Sequence, residues 1–217
     1  MEGIMKLLFD IGCNVGDWID ANYSEDTIII GVEASPPIFK QCQERFAGNE
    51  NIRILNYLVS DKPGEERKTG SLFICEAISG VLSTASNDWM TKGRFANLYK
   101  WDNPVEVPTI TLDSLITMFG IPDEIKIDVE GLEYLVLRGL SQKVPLIGFE
   151  WVEEDTNTIL LSVLRLIRLG YEKFCLTDLD DYTKRPAEYY DFNTFMIEKL
   201  KLIPERASRW GMLYAKI

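Results

Sequence analysis

Histidine occurs nowhere in this sequence. That excludes Ser-His-Asp and Cys-His catalysis, H-E-x-x-H zinc hydrolysis and any histidine general base. If the chain is an enzyme, proton transfer falls to Asp, Glu, Lys, Tyr or Cys, or to a metal-bound group. Cysteine is sparse: Cys13, Cys42, Cys75 and Cys175 are scattered and form no C-x-x-C pair. They read as free thiols of a reducing, cytoplasmic compartment rather than a disulfide or zinc framework. No run approaches the roughly 18 to 20 apolar residues of a membrane span, and no secretory signal pattern opens the chain. Basic clusters are missing as well. Net charge is −11, and the one basic-rich run, Glu65-Glu66-Arg67-Lys68, carries its own compensation. A nucleic-acid partner is therefore not expected.

What remains is ordinary folding material. The 217 residues are 46% hydrophobic and 11% aromatic, enough for one domain (1–217) with a substantial core. Strand-like and helix-length segments alternate. KLLFDIG (6–12), TIIIGVEA (27–34) and NIRILNYLVSD (51–61) read as strands, the last running into a K-P-G-E turn. Helices are expected from Asp17 and over PPIFKQCQERFAG (36–48), which Gly48 ends. Residues 62–108 break the alternation and read as an insertion with β-strands. Then come LDSLITMFG as a helix, IKIDVEG as a strand, LEYLVLRGL as a helix and VPLIGFEWVE (144–153) as a strand. Thr156 to Gly170 is amphipathic, with Asp155 as N-cap. Two further strands are expected near 171–177 and 211–217, with the acidic, tyrosine-rich LTDLDDYTKRPAEYYD between them as a surface loop. Repeated β-α units predict an α/β fold with a mostly parallel sheet and helices on both faces.

That arrangement gives the charges of IKIDVE a problem to solve. Ile125, Ile127 and Val129 alternate with Lys126, Asp128 and Glu130. At a sheet edge the charges would face water, but a central, covered strand needs another reason for them.

The turn after the first strand supplies one. FDIGCNVGDW carries Asp10, then Gly12 and Gly16 in a G-x-x-x-G spacing that is not the dinucleotide fingerprint. An acid at this turn suits a cofactor with a positive amino or sulfonium group and no phosphates. Asn14 lies within the turn. Glu33, followed by Ala34, ends the second strand where an acid can accept hydrogen bonds from a ribose diol. Asn56, Ser60 and Asp61 end the third strand, at the place for adenine contacts. The chemistry implied is S-adenosylmethionine (SAM) binding.

DIGCNVG, VEASP, NYLVSD-KPGE, TLDSL and IKIDVEGLEYLVLRGL follow one another in that order. Together they resemble the FkbM family of SAM-dependent methyltransferases, whose hallmark is a K-x-D-x-E-G-x-E strand-turn. The resemblance covers about 7 to 152 and implies a seven-stranded, Rossmann-like class I methyltransferase fold. It also implies O-methylation, commonly of sugar or natural-product hydroxyls. Cys13 takes the place usually held by a small residue such as alanine. Almost nothing precedes the first strand, which suggests a minimal module, or one belonging to a larger glycosyltransferase-type protein.

Ligands of open α/β sheets sit beyond the carboxyl ends of the strands, where Asp128, Glu130 and Glu150 are expected to converge. Asp128 is then a base for the acceptor hydroxyl, or the ligand of a divalent cation, Mg²⁺ or Mn²⁺, shared with Glu150. Lys126 neutralises the cluster, and Glu150 alternatively orients the acceptor. The plainer alternative is a structural ion-pair network that caps the following helix. Ser79, Ser83, Trp89, Glu130 and Trp151 are the expected acceptor contacts, with Trp101, Tyr182, Tyr189 and Tyr190 as further ring faces suited to a sugar. Other readings are an O-methyltransferase of a non-glycan natural product, a catalytically silent SAM-binding module, and a dinucleotide-dependent oxidoreductase, which the glycine spacing disfavours.

Overall fold

A computed structural model describes residues 5–62, 69–75, 82–93, 95–199 and 209–217. Glu65-Glu66-Arg67-Lys68, most of the K-P-G-E turn and Ser79 lie outside the described residues.

The chain runs β1 (Lys6–Ile11), α1 (Asp17–Asn22), β2 (Thr27–Val32), α2 (Pro36–Arg45), β3 (Ile52–Leu55), β4 (Leu58–Val59) and β5 (Thr69–Ile74). It continues through α3 (Asn87–Lys92), β6 (Asp102–Ile110), α4 (Leu112–Phe119), β7 (Glu124–Ile127), α5 (Glu133–Arg138) and β8 (Leu146–Val152). The last part holds α6 (Thr156–Arg168), β9 (Lys173–Leu176), β10 (Tyr190–Asp191), α7 (Phe192–Thr194), a π-helical turn (Phe195–Lys199) and β11 (Trp210–Lys216). The main sheet has the order β10-β9-β11-β8-β7-β1-β2-β3. Strands β3, β2, β1, β7 and β8 are parallel, while β11 runs antiparallel between β8 and β9. This is the expected seven-stranded methyltransferase sheet with one two-residue strand, β10, added at its edge.

β7 is central, between β1 and β8, and all four of its residues are buried. The edge-strand possibility for IKIDVE is thereby removed. Ile125 and Ile127 belong to the large core that also holds Phe9, Ile147, Phe149 and residues of α4, α5 and α6. By strand alternation Glu124 and Lys126 face the other side, where Leu8, Ile29, Trp18 and Cys42 form a smaller core with α1 and α2. Cover on that side comes partly from residues 177–189. This segment is the surface loop expected from its composition, but it is tethered: Tyr182 packs on the smaller core, and Arg185 pairs with the buried carboxylate of Glu124.

The third strand also departs from expectation. It stops at Leu55, the chain breaks at Asn56 and Tyr57, and Leu58–Val59 pairs instead with β6 in a second sheet of order β4-β6-β5. Two apolar stretches that read as one strand thus belong to two sheets. The described residues of the predicted β-bearing insertion, 62–108, hold β5, α3 and most of β6, while β4 of the same small sheet precedes it. Asp155 accepts a hydrogen bond from the Thr158 amide and caps α6 as its position predicted.

Candidate active site

The turn from β1 to α1 is built on positive backbone angles. Gly12 has φ +79°, Asn14 +49° and Gly16 +91°. A Cβ on Gly12 would lie 1.8 Å from the carbonyl oxygen of Asp128, so the glycine lets the two parallel strand ends meet. The turn is then tied to β2. Glu33 Oε2 accepts the Asn14 amide at 3.0 Å, and Oε1 accepts the Ser35 amide at 2.7 Å. Asn56 Nδ2 donates to the carbonyls of Glu33 and Ala34 at 2.8 and 3.0 Å, holding the β2 end from behind.

These strand ends open into a cavity of about 290 Å³. Gly12, Asn14, Glu33 and Ala34 line one part of it, Lys126, Asp128 and Glu130 another. Tyr57, Leu58, Val59 and Leu72 give an apolar wall, and Ser83 and Thr84 add hydroxyls from the small sheet's side. Trp18 and Tyr182 complete the ring faces. Among the described residues four carboxylates, Asp17, Glu33, Asp128 and Glu130, share the wall with one lysine, and Asp17 is already paired with Arg45. Such a wall repels the phosphates of a dinucleotide and suits a cationic ligand. A carboxylate held by two amides at the end of β2 fits a ribose diol. The lining therefore fits SAM, with Glu33 and the Gly12–Asn14 turn as the residues placed to hold it.

Behind the cavity wall is a buried charge cluster. Lys126 Nζ lies 3.2 Å from Asp128 Oδ2 and 3.7 Å from Asp10 Oδ1, and 5.6 Å from the centre of the Tyr182 ring. Burial alone would lower the Lys126 ammonium, but the carboxylates of Asp128, Asp10 and Asp180 outweigh it and leave it raised. Burial pushes Asp10 up to about 6, although Lys126 opposes it. Asp180, on the 177–189 loop, is also pushed up to about 6 by burial. Burial likewise raises Glu33 to about 7, against the two amide hydrogen bonds that lower it. Of the three carboxylates around Lys126, only Asp128 lines the cavity.

The D-V-E-G-L-E turn that follows β7 is sharply folded, with Glu130 at φ +53° and Gly131 at +91°. Glu133 secures it: Oε1 accepts the amides of Val129 and Gly131, both at 3.2 Å, and burial raises its carboxyl to about 7. The capping role expected within this motif thus falls to Glu133, while Glu130 turns to the cavity and its carbonyl accepts the Thr84 hydroxyl at 2.7 Å.

Several expected site residues stand elsewhere. Asp10 and Gly16 support the turn from behind without lining the cavity, and Asn56 does so for β2. The break after Leu55 carries Ser60 and Asp61 toward α5, where Asp61 pairs with Arg138 at 2.8 Å. Glu150, Trp89 and Trp151 line a second, much smaller pocket with Gly131 and Glu133, with room for roughly one water. Trp151 is a core residue whose Nε1 donates to the Thr177 carbonyl at 3.0 Å. Asp128 and Glu150 therefore do not share a pocket, and no group of three Cys, Asp or Glu among the described residues is placed to hold a metal ion. Sequence reasoning missed Trp18 and Asp180. They come from a helix and a distant loop brought in by tertiary folding, with no local motif to mark them. No helix among the described residues is long and apolar enough to cross a membrane.

Comparison with known proteins bears on this site. Solved structures similar to the chain include precorrin-6y C5,15-methyltransferase from Geobacter metallireducens, at 10% identity over 97% of this chain and 79% of that one, TM-score 0.48. Fibrillarin from Aeropyrum pernix, with natively bound SAM, is 12% identical over 98% of this chain and 66% of that one, TM-score 0.47. A TehB-like SAM-dependent methyltransferase from Corynebacterium glutamicum is 10% identical over 100% and 82%, TM-score 0.45. No curated protein matches. A family model described as the methyltransferase FkbM domain matches residues 10–161, from the glycine turn through Glu33 and the Asp128–Glu133 turn into α6. The chain belongs to the FkbM family and is a SAM-dependent methyltransferase.

Proposed function

We propose that the chain transfers the methyl group to an oxygen, the hydroxyl of a sugar or glycan, with Asp128 as the base. One observation carries this reading: of the three carboxylates around Lys126, Asp10, Asp128 and Asp180, only Asp128 reaches the cavity, with its side chain 29% exposed against 0% for Asp10. When bound, SAM supplies an electrophilic methyl on a positively charged sulfur. The chain must then orient a hydroxyl in line and remove its proton as the C–O bond forms. Lys126 holds Asp128 Oδ2, which leaves Oδ1 to accept that proton. The product is a methyl ether, the neutral thioether leaves, and the proton passes from Asp128 to solvent.

The acceptor side of the cavity supports a sugar. Ser83, Thr84 and Glu130 offer hydrogen-bonding groups beside the apolar face of Leu58, Val59 and Leu72. A sugar presents hydroxyls on its rim and C–H groups on its faces, and needs both. Because Asp128 and Glu150 line different pockets, a metal shared between them does not fit, and the proposal assigns the proton to Asp128 directly. A host protein that builds glycans, and a cytoplasmic setting, accord with such an acceptor.

Asp128→Asn tests the assignment against a panel of glycosides and non-glycan alcohols. S-adenosylhomocysteine (SAH) should bind the variant as it binds the parent in calorimetry, while transfer to the accepted hydroxyl drops by about a hundredfold or more. Full transfer by the variant would remove Asp128 as base. Transfer confined to non-glycan alcohols would move the acceptor class. Activity of the parent should survive exhaustive chelation.

A further inference from the structure

One wall of the cavity is contributed from beyond residue 161, where the family match ends. Tyr182 lies on the loop joining β9 to β10, residues 177–189, lines the cavity together with Trp18, and stands over Lys126. Nothing in the local sequence requires it to be there. The loop is held by a set of long-range bonds that converge on Arg185.

The Arg185 guanidinium pairs with the Glu124 carboxylate at the start of β7, which is 4% exposed. Its Nη2 donates to Asn22 Oδ1 at 3.0 Å, and Nη1 donates to the carbonyls of Tyr182 and Lys184 at 3.1 and 3.0 Å. Asn22 returns a bond from Nδ2 to the Tyr182 carbonyl at 2.9 Å. The guanidinium also lies 5.4 Å from the centre of the Trp18 ring. Asp181 closes the turn locally by accepting the Thr183 amide at 3.1 Å. Arg185 thus lies against Trp18, itself a cavity residue, and the Tyr182 carbonyl accepts from both Arg185 and Asn22.

We propose that Tyr182 contacts the cofactor and that residues 177–189 form a strap, pinned by Arg185, that holds its ring against the bound cofactor. The chemistry of the wall supports this. In a cavity whose described lining has one lysine and an excess of carboxylates, an aromatic face is a second kind of group that favours a cation, through its quadrupole. A sulfonium or ammonium centre draws on both. The ring also shields the Lys126 cluster from solvent, which strengthens the field of the carboxylates beneath it. Asp180, two residues before Tyr182, adds a carboxylate to that cluster, so the same strap brings both the ring and part of the charge.

The inference rests on SAM binding, and calorimetry of the unmodified chain with SAH tests that separately. The strap is tested with Tyr182→Phe and Tyr182→Ala in the full chain, and by tryptic cleavage after Lys184 in the unmodified protein. Tyr182 is half-buried and has no side-chain ion pair, so both variants are expected to fold, with circular dichroism as the control. Phe should bind SAH within about twofold of the parent, whereas Ala should bind about tenfold more weakly or worse. Saturating SAH should slow cleavage after Lys184 by about tenfold, as expected when a ligand closes a local opening. Parental affinity in Tyr182→Ala, or a cleavage rate that SAH leaves unchanged, would overturn the proposal. Failure of the unmodified chain to bind SAH would overturn the SAM reading instead.

Discussion

Lys126 Nζ and Asp10 Oδ1 face each other 3.7 Å apart in the middle of the sheet, and neither oxygen of Asp10 accepts a hydrogen bond from any described residue. Asp10 is fully buried, so this lysine is its principal compensation. Removing one partner of a buried pair leaves the other charge uncompensated. Lys126→Met should therefore cost about 3 to 5 kcal/mol in urea unfolding at pH 8. Asp10→Asn should cost nothing at pH 8, because burial penalises the Asp10 charge even with Lys126 beside it, and Lys126 keeps Asp128 at 3.2 Å. The pH dependence has a definite sign. Asp10 titrates near 6 in the folded chain, so below that pH it is neutral and the penalty of Lys126→Met should shrink. Equal costs for the two variants, or a penalty independent of pH, would show that the pair is not what holds Asp10.

Glu33 gives a prediction about binding. Burial raises its carboxyl to about 7 in the chain without ligand, and a ribose diol donates best to the ionised form. Below pH 7 a proton must leave before binding. SAH affinity should therefore rise from pH 6 to pH 8 and level off above. Glu33→Gln should bind about tenfold or more weakly, and without that pH dependence, since a hydrogen bond to a charged group contributes about 1.5 to 3 kcal/mol. Calorimetry across the pH series checks both points.

Two glycines with nearly the same φ separate backbone conformation from close approach. Gly12 (φ +79°) would place a Cβ 1.8 Å from the Asp128 carbonyl oxygen, whereas Gly48 (φ +88°) has nothing within 4 Å of its Cβ. Gly48→Ala should cost only the left-handed penalty, about 1 to 2 kcal/mol. Gly12→Ala should cost more than that and weaken SAH binding by at least about tenfold, because the strand ends must part and carry Asp128 with them. Thermal unfolding of the two variants, beside SAH titration, measures the difference.

The parts of the site that the sequence makes legible are those set by neighbours in the chain. Gly12, Asn14 and Glu33 could be placed because a strand end followed by a turn dictates where they go, and alternation in I-K-I-D fixes Lys126 on one face. The third strand shows where this fails. NIRILNYLVSD has one continuous apolar pattern, yet pairing with β6 takes Leu58–Val59 into another sheet and sends Asp61 to Arg138. That choice depends on a partner some fifty residues away. The strap is further out of reach, since Arg185 bonds to Glu124 and Asn22 across 61 and 163 residues, and none of the three carries a motif. For Glu150 the sequence offers only its position at a strand end. The fold places it beyond the turn of Gly131, in a pocket with Trp89 rather than with Asp128.

Glu133 offers the sharpest test of the charge balance under the D-V-E-G-L-E turn. It is 4% exposed, and its carboxyl lies near 7 in the folded chain against 4.5 for the ordinary group. An acid raised by folding keeps its proton in the native state at pH values where the unfolded chain has already lost it. Its contribution to stability therefore falls as pH rises from about 4.5 to about 7, and stays at the lower level above. Glu133→Gln removes the titration but keeps an acceptor oxygen for the Val129 and Gly131 amides. Asp10, Glu33 and Asp180 also titrate in this range, but they are common to both proteins and cancel in the comparison. The two proteins should match in stability near pH 4.5. At pH 8 the Gln variant should be the more stable by on the order of 3 kcal/mol, from about 1.4 kcal/mol per pH unit. Urea unfolding at the two pH values decides it, and a variant less stable than the parent at pH 8 would mean that ionised Glu133 is stabilised by the turn rather than penalised by burial.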